Sequence, residues 1–250
     1  MSGPAHILMI GAGGLGCAVA LALADKPIKS RPLKITWADP DRVALSNLHR
    51  QVLFTQADLN LEKSVRAAEW LANQNTTICV KPVVRRLESV EEIATLAQGC
   101  ELIVDGSDNY ATRFQANDAA VQLKTPLIHG AVIATQGQLM TILPGQSACL
   151  RCLFYESPDL GEASCRSEGV IGPLVGEIGQ LMALEVNKIV NCVGKPLTDR
   201  LLTVDYSRQR RREISLQKRN DCLGCQSSLS KIKYHGESLE RKWEKSTTIS

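Results

Sequence analysis

Residues 6–24 read HILMIGAGGLGCAVALALA, and the fold turns on this stretch. His6 to Ile10 is a short apolar run of strand type. It enters Gly11-Ala12-Gly13-Gly14-Leu15-Gly16 and continues into Leu15 to Ala24, rich in the helix formers Ala and Leu. A glycine turn between a strand and a helix is the context in which Gly-x-Gly-x-x-Gly carries chemical meaning. The glycines allow a tight turn and close backbone approach, which presents phosphate oxygens to the helix N–H groups and the positive end of its dipole. Leu33 to Ala38 is the next strand, ending at Asp39, where an acid can bind ribose hydroxyls. At this point the nucleotide is open, because NAD-dependent oxidoreductases share the pattern, and a purely structural glycine turn competes with both.

Outward from this unit, apolar strand-like and longer helical runs alternate. The pattern predicts an α/β, Rossmann-like, mostly parallel sheet with helices on both faces. Asp58 to Asn75 reads as an amphipathic helix with Leu61, Val65, Ala68 and Leu71 on one stripe. Ile78 to Val83 is strand-like, and Ser89 with Glu92 forms a capping box for a short helix ending near Gly99. Leu102 to Asp105 is a strand opening into Asp105-Gly106-Ser107-Asp108-Asn109. Leu127 to Leu143 reads as two consecutive strands, an antiparallel extension of the sheet. Cys149 to Gly172 is a long irregular stretch, Pro173 to Val193 a helix started by its proline, and Leu201 to Asp205 and Glu213 to Gln217 two further strands. The expected division is residues 1–225 as one nucleotide-binding domain and 226–250 as a polar, lysine-rich tail.

Composition narrows the function. The 250 residues carry 29 Lys and Arg against 26 Asp and Glu, too even a balance for nucleic acid as main partner, and aromatics at 4% are too few for base-stacking platforms. No apolar run approaches the roughly 20 residues of a membrane span, and the N-terminus lacks signal-peptide character, so a cytoplasmic protein is expected. Nine cysteines in a reducing compartment favour metal or catalysis over disulfides.

The block after Asp39 separates the nucleotide readings. Asp41-Arg42-Val43 leads to Ser46-Asn47-Leu48-His49-Arg50-Gln51 and then Lys63. Hydride transfer has no use for this Asn, Arg and Lys set, whereas a triphosphate does: Arg grips phosphate oxygens bidentately and Lys adds a point charge. Taken singly, Arg50 and Lys63 read as ordinary surface charge. Asp108, in a loop at a strand's carboxyl end, suits Mg2+, which prefers one or two carboxylates plus phosphates; the competing reading is an Asx turn or helix N-cap before Tyr110. Cys149-x-x-Cys152 and Cys222-x-x-Cys225 make the paired knuckles of a tetrahedral zinc site, against four unrelated thiols or one redox pair. Cys17, Cys79, Cys100 and Cys192 fall in apolar runs and read as core. His6, His49, His129 and His235 show no ligand spacing.

Together the GAGGLG run, the D-x-D-x-V-x-x-SNL-x-RQ block, Lys63 and the DGSDN loop resemble the adenylating enzymes related to ubiquitin-activating enzymes. The nearest subgroup is that of the bacterial thiamin-thiazole and molybdopterin-synthase adenylyltransferases, with the likeness running over about residues 5–226. The resemblance implies ATP-dependent adenylation of the C-terminal glycine of a ubiquitin-like sulfur-carrier protein ending in Gly-Gly, a sulfur-donating enzyme as second partner, and a homodimer. Carried over by position, Gly11, Gly13, Gly14 and Gly16 form the nucleotide loop and Asp39 is the ribose-binding acid. Asn47, Arg50, Gln51 and Lys63 match phosphate-contacting positions, and Asp108 matches the magnesium acid. Cys149, Cys152, Cys222 and Cys225 match the zinc ligands. Cys165, in Ser164-Cys165-Arg166, matches a crossover-loop cysteine that is covalently linked to the carrier in some members and passive in others. This chain departs from the pattern in having no arginine before Arg31, Ser107 for the usual threonine, and Glu62 where glycine is common. The rival readings are an NAD-dependent oxidoreductase, from the glycine motif alone, and a zinc-stabilised carrier-binding module without adenylation activity.

Overall fold

A computed structural model describes residues 3–25, 31–154 and 169–226. Eight strands form one sheet in the order β3-β2-β1-β4-β5-β6-β7-β8. Five of them are parallel: β1 Ala5–Ile10, β2 Leu33–Ala38, β3 Ile78–Val83, β4 Leu102–Asp105 and β5 Leu127–Ile133. The other three, β6 Gln136–Ile142, β7 Arg200–Asp205 and β8 Arg210–Ser215, continue the sheet antiparallel. The alternation of short apolar runs and helices thus gives the expected α/β sheet with its antiparallel extension.

Helices cover both faces and make two cores. On one face α1 Gly14–Asp25 packs along α6 Gly172–Asn191, with α2 Lys63–Gln74 beside them, around Ile7, Met9, Val19, Trp37 and Ile178. On the other, α3 Val90–Ala97 and α4 Tyr110–Leu123 pack over Leu8, Ile10, Ile103, Leu127 and Met140. Alternate residues of β1 serve the two cores because strand side chains alternate faces, so the central strands must be apolar throughout. Two one-turn helices, α5 Leu150–Leu153 and α7 Leu223–Gln226, meet at the four cysteines.

Several elements differ from the sequence reading. The expected helix from Asp58 is broken: a 3-10 turn, Gln56–Asp58, is capped by Thr55, and the chain reverses through Asn60 at φ +66°. Residues 60–63 then bond back to the 41–43 segment, with Asn60 N–H to Val43 O and Val43 N–H to Leu61 O, and the helix starts at Lys63. Leu61 is consequently exposed, and the buried stripe is Ser64, Ala67, Ala68 and Leu71. Helix α4 was anticipated only at its start, as the competing N-cap reading before Tyr110; its course was hidden because its inward face carries Arg113 and Asn117 among alanines and its apolar period is blurred. Cys79 is exposed on the edge strand β3 and is not core, whereas Cys17 and Cys100 are buried, their thiols pushed up by burial to about 12 and about 11. Cys192 is half-buried at the left-handed C-cap of α6.

Candidate active site

The strand order reverses direction between β1 and β4, whose following connections leave the sheet to opposite faces. Ligands of open α/β sheets bind in the crevice at the carboxyl ends of the strands beside such a switch point. Here the crevice is a cleft of about 700 Å3. Gly11, Gly13, Gly14, Asp39, Asn47, Arg50, Gln51, Lys63 and Asp108 all line it. Sequence-distant candidates from three connections, those after β1, β2 and β4, therefore face one space.

The loop after β1 is set by backbone geometry. Gly11 sits at φ +92°, and a Cβ there would lie 2.9 Å from the Gly106 carbonyl, so the loops after β1 and β4 touch main chain to main chain. Gly16 lies under the turn, where a Cβ would meet the Gly11 carbonyl at 2.1 Å. No other residue fits either position without moving the loop.

Asp39, at the end of β2, is only 6% exposed and is already structurally engaged. Its Oδ2 accepts the Ala12 N–H at 2.6 Å and its Oδ1 the Asp41 N–H at 2.8 Å, tying β2 to the glycine loop. Burial raises its pKa, against the pull of the Lys63 charge and these two N–H donors. Each carboxylate oxygen keeps a further lone pair, and Asp39 lines the cleft. Lys63 is buried at the start of α2 with its Nζ 3.0 Å from Asp41 Oδ2. Arg50 donates from Nη2 to Asn47 Oδ1 at 2.7 Å, which stretches the guanidinium along the cleft wall. Gln51 is buried, and its Oε1 has no partner among the described residues.

Asp108 follows β4, and Asn109 after it caps α4 by accepting the Thr112 N–H at 2.9 Å. The N-cap before Tyr110 is thus Asn109 and not Asp108, and Asp108 lines the cleft. Residues missed from sequence also line it: His49, Arg85, Arg86, Ser107 and Arg113. Arg113 is buried, donates to Ser107 O from Nε at 3.3 Å and Nη2 at 3.2 Å, and lies 5.0 Å from the Tyr110 ring centroid. Its signal in sequence was weak, since it belongs to the hidden course of α4. Behind it lies a second cavity of about 300 Å3, lined by Tyr110, Phe114, His129, Leu150 and Phe154 among others.

Cys149, Cys152, Cys222 and Cys225 come together away from the cleft, their sulfurs within 4.8 Å of one another. Four of the sulfur–sulfur distances lie between 3.5 and 3.9 Å. A tetrahedron with metal–sulfur bonds of about 2.3 Å has edges of about 3.8 Å, so the donors fit a four-coordinate thiophilic cation. Without one, burial pushes the Cys225 thiol to about 11 and, with the neighbouring thiols, Cys149 higher still. A cation would reverse that by stabilising thiolates. Arg151 inside the first knuckle donates to both oxygens of Asp118, at 2.7 and 2.6 Å, and Leu150 N–H to Asn117 Oδ1 at 2.8 Å, fastening the knuckle to α4. Cys165 lies outside the described residues.

The chain is similar to known proteins over most of its length. The sequence model of the ThiF family matches residues 3–225. A "Sulfur carrier protein adenylyltransferase" of Thermus thermophilus is 36% identical over 227 residues, covering 88% of this chain and 82% of the relative. A "Sulfur carrier protein ThiS adenylyltransferase" of Escherichia coli is 36% identical over 224 residues, covering 89% and 86%. "Adenylyltransferase and sulfurtransferase MOCS3" of Culex quinquefasciatus is 37% identical over 231 residues; this chain is covered to 92% but spans only 52% of that protein. In structure, E. coli MccB crystallised with ATP superposes with a TM-score of 0.76 at 19% identity, over 88% of this chain and 67% of MccB. That likeness speaks to the fold.

Proposed function

The chain belongs to the ThiF family, and from that premise we propose that it uses ATP to adenylate the C-terminal glycine of a ubiquitin-like sulfur-carrier protein, releasing pyrophosphate. The observation that carries this reading is the shared cleft: a glycine loop, an acid for ribose (Asp39), two cations (Arg50 and Lys63) and a cation-binding acid (Asp108) line one space.

The chemistry asks for little else. A C-terminal carboxylate is ionised at neutral pH, its pKa being about 3.5, so its attack on the α-phosphorus needs no general base. The barrier lies in bringing two anions together and in the charge that builds on the leaving pyrophosphate. Arg50, oriented by Asn47, and Lys63, held by Asp41, would neutralise phosphate oxygens. The buried Gln51 amide and the N–H groups of the glycine loop add neutral donors. Asp108 would hold a Mg2+ ion brought with ATP, which would supply the remaining positive charge. The oxygen that attacks belongs to the carrier, and pyrophosphate leaves with the electron pair of the broken phosphoanhydride bond.

The four-cysteine cluster would hold Zn2+ as a structural ion. Cys165 is proposed as the thiol that attacks the acyl adenylate in the sulfur-transfer stage, forming a thioester to the carrier as AMP leaves with the electron pair of the broken acyl–phosphate bond. The test is ATP–pyrophosphate exchange with purified ubiquitin-like carriers ending in Gly-Gly, thiazole-type and molybdopterin-type in parallel. Exchange that needs both Mg2+ and one of these carriers is expected. Tight NAD binding without carrier-dependent exchange would overturn the reading.

A further inference from the structure

The rung at the ends of β1 and β4 contains a buried ionisable pair. Ile10 and Asp105 are the last residues of their strands and His129 is the third residue of β5, and Asp105 is in register with both neighbours. Asp105 is 0% exposed and His129 3%. His129 Nδ1 is 2.8 Å from Asp105 Oδ2, and Asp105 Oδ1 accepts the N–H of Ser107 at 3.0 Å. The pairing with a carboxylate fixes the proton on Nδ1 and leaves Nε2 as the ring nitrogen available to the second cavity, which His129 lines.

Resting on the adenylation reading above, we propose that His129 is a positioning residue for that reaction: through Asp105 it holds the 105–109 loop, and so Asp108, against the glycine loop. The loop has three fastenings, each to a different element. Gly106 N–H bonds to Ile10 O at 3.0 Å, Ser107 O accepts from Arg113 of α4, and Ser107 N–H is held by Asp105. The first two are direct. The third depends on His129, because a fully buried carboxylate with only one N–H donor is costly. Burial pushes the Asp105 carboxyl up, but with His129 in place its pairing, the Ser107 hydrogen bond and the nearby Arg113 charge together hold it below the usual range. Without that partner, Asp105 must either take up a proton or turn toward another donor, and both loosen Ser107 N–H one residue before Asp108. Histidine on β5 is thus an element of the nucleotide site although it does not line the nucleotide cleft.

Two amide replacements divide the imidazole's functions. In His129→Asn the side-chain amide falls near the position of Nδ1 and can still donate to Asp105; in His129→Gln it falls near Nε2 and faces the cavity. Carrier-dependent exchange is measured with whichever carrier supports it in the wild-type protein, and MgATP binding by calorimetry across a Mg2+ titration. His129→Gln is expected to lower kcat at least 10-fold and raise the Mg2+ half-saturation at least 5-fold, with the carrier KM within 2-fold. His129→Asn should stay within 3-fold of wild type on all three. Asp105→Asn, nearly isosteric and uncharged, should reproduce the Mg2+ shift, and it keeps the test alive if the glutamine variant does not fold. Wild-type behaviour of His129→Gln or Asp105→Asn, or a loss confined to the carrier KM, would overturn the positioning role. Should no carrier support exchange by wild type, the adenylation reading fails, and the Mg2+ dependence of ATP binding still decides whether His129 acts on the loop.

Discussion

The parallel and antiparallel halves of the sheet are held in different ways. Strands β1 and β4 are covered on both faces, their residues almost all buried, and the polar groups gather at the carboxyl edge where the cleft opens. At the other end, every residue of β8 is exposed. What fixes the chain beyond β8 is the sulfur cluster, which joins Cys222 and Cys225 to a knuckle fastened on α4. The sheet from β1 through β7 rests on buried apolar area, to which Met140, Ile142 and Leu202 contribute, whereas the chain at and beyond β8 rests on a few donor atoms. Damage to the two halves should therefore separate cleanly, and four predictions test whether it does.

The largest effect is expected at Gly16. A side chain there meets the Gly11 carbonyl, which is backbone and cannot turn aside. Gly16→Val should cost about 3 kcal/mol or more and abolish ATP binding, as read by denaturant unfolding and calorimetry. Retained ATP affinity in a stable variant would mean the glycine turn is not the phosphate cradle. Next comes Asp108→Ala, which touches the cleft and not the packing. Carrier-dependent pyrophosphate exchange should fall by about 100-fold or more while the melting temperature moves by about 2 °C or less. An unaltered exchange rate would remove Asp108 from the mechanism.

This contrast also explains what the sequence could show. The parallel half was legible because its information is local: strand, glycine turn and helix are contiguous in residues 6–24, and SNLHRQ lies within one short block. The cysteine pairs were legible because paired spacing is itself the signal of a four-thiolate set. The break between Asp58 and Lys63 was not, since it depends on Val43 pairing with residues 60 and 61, a contact no helical period encodes. His129 looked idle for the same reason, because its partner Asp105 is 24 residues away on the neighbouring strand. Helix α4 stayed hidden because Arg113 and Asn117 spend their polarity inside, on Ser107 O and Leu150 N–H.

The third prediction sharpens the comparison from the antiparallel side. Cys222→Ser, or chelation of the wild-type protein, should remove the bound metal, expected at about one zinc per chain. Stability should fall by about 3 kcal/mol, about 10 °C in melting temperature for a chain of this size. Amide exchange should rise in β7, β8 and the knuckle while β1 and β4 keep their protection. Equal deprotection of both halves would show that the cluster supports the whole sheet and that the division proposed above is wrong.

The smallest effect belongs to Asp58, in the turn that interrupts the expected helix. Its carboxylate accepts the Thr55 N–H at 2.8 Å, the Thr55 hydroxyl at 3.0 Å and Arg66 Nε at 2.8 Å. Burial pushes this carboxyl up, but the Thr55 and Arg66 donors outweigh it and hold the pKa below its usual value. A carboxyl whose folded pKa lies below the unfolded one stabilises the protein above the unfolded value, about 4, and loses that contribution as pH falls through the folded value. Asp58→Asn keeps the shape and one acceptor, so it should cost only about 1 kcal/mol at pH 7, the Arg66 partner being partly exposed and screened. The difference from wild type should be full at neutral pH and shrink steadily as pH falls below about 4, in denaturant unfolding measured from pH 7 downward. A difference that stayed constant with pH would mean that packing of the turn, and not the charge on Asp58, sets where α2 begins. Since α2 carries Lys63 at its first position, a shift of that start would be felt in the cleft, and the variant's ATP affinity at pH 7 reads it directly.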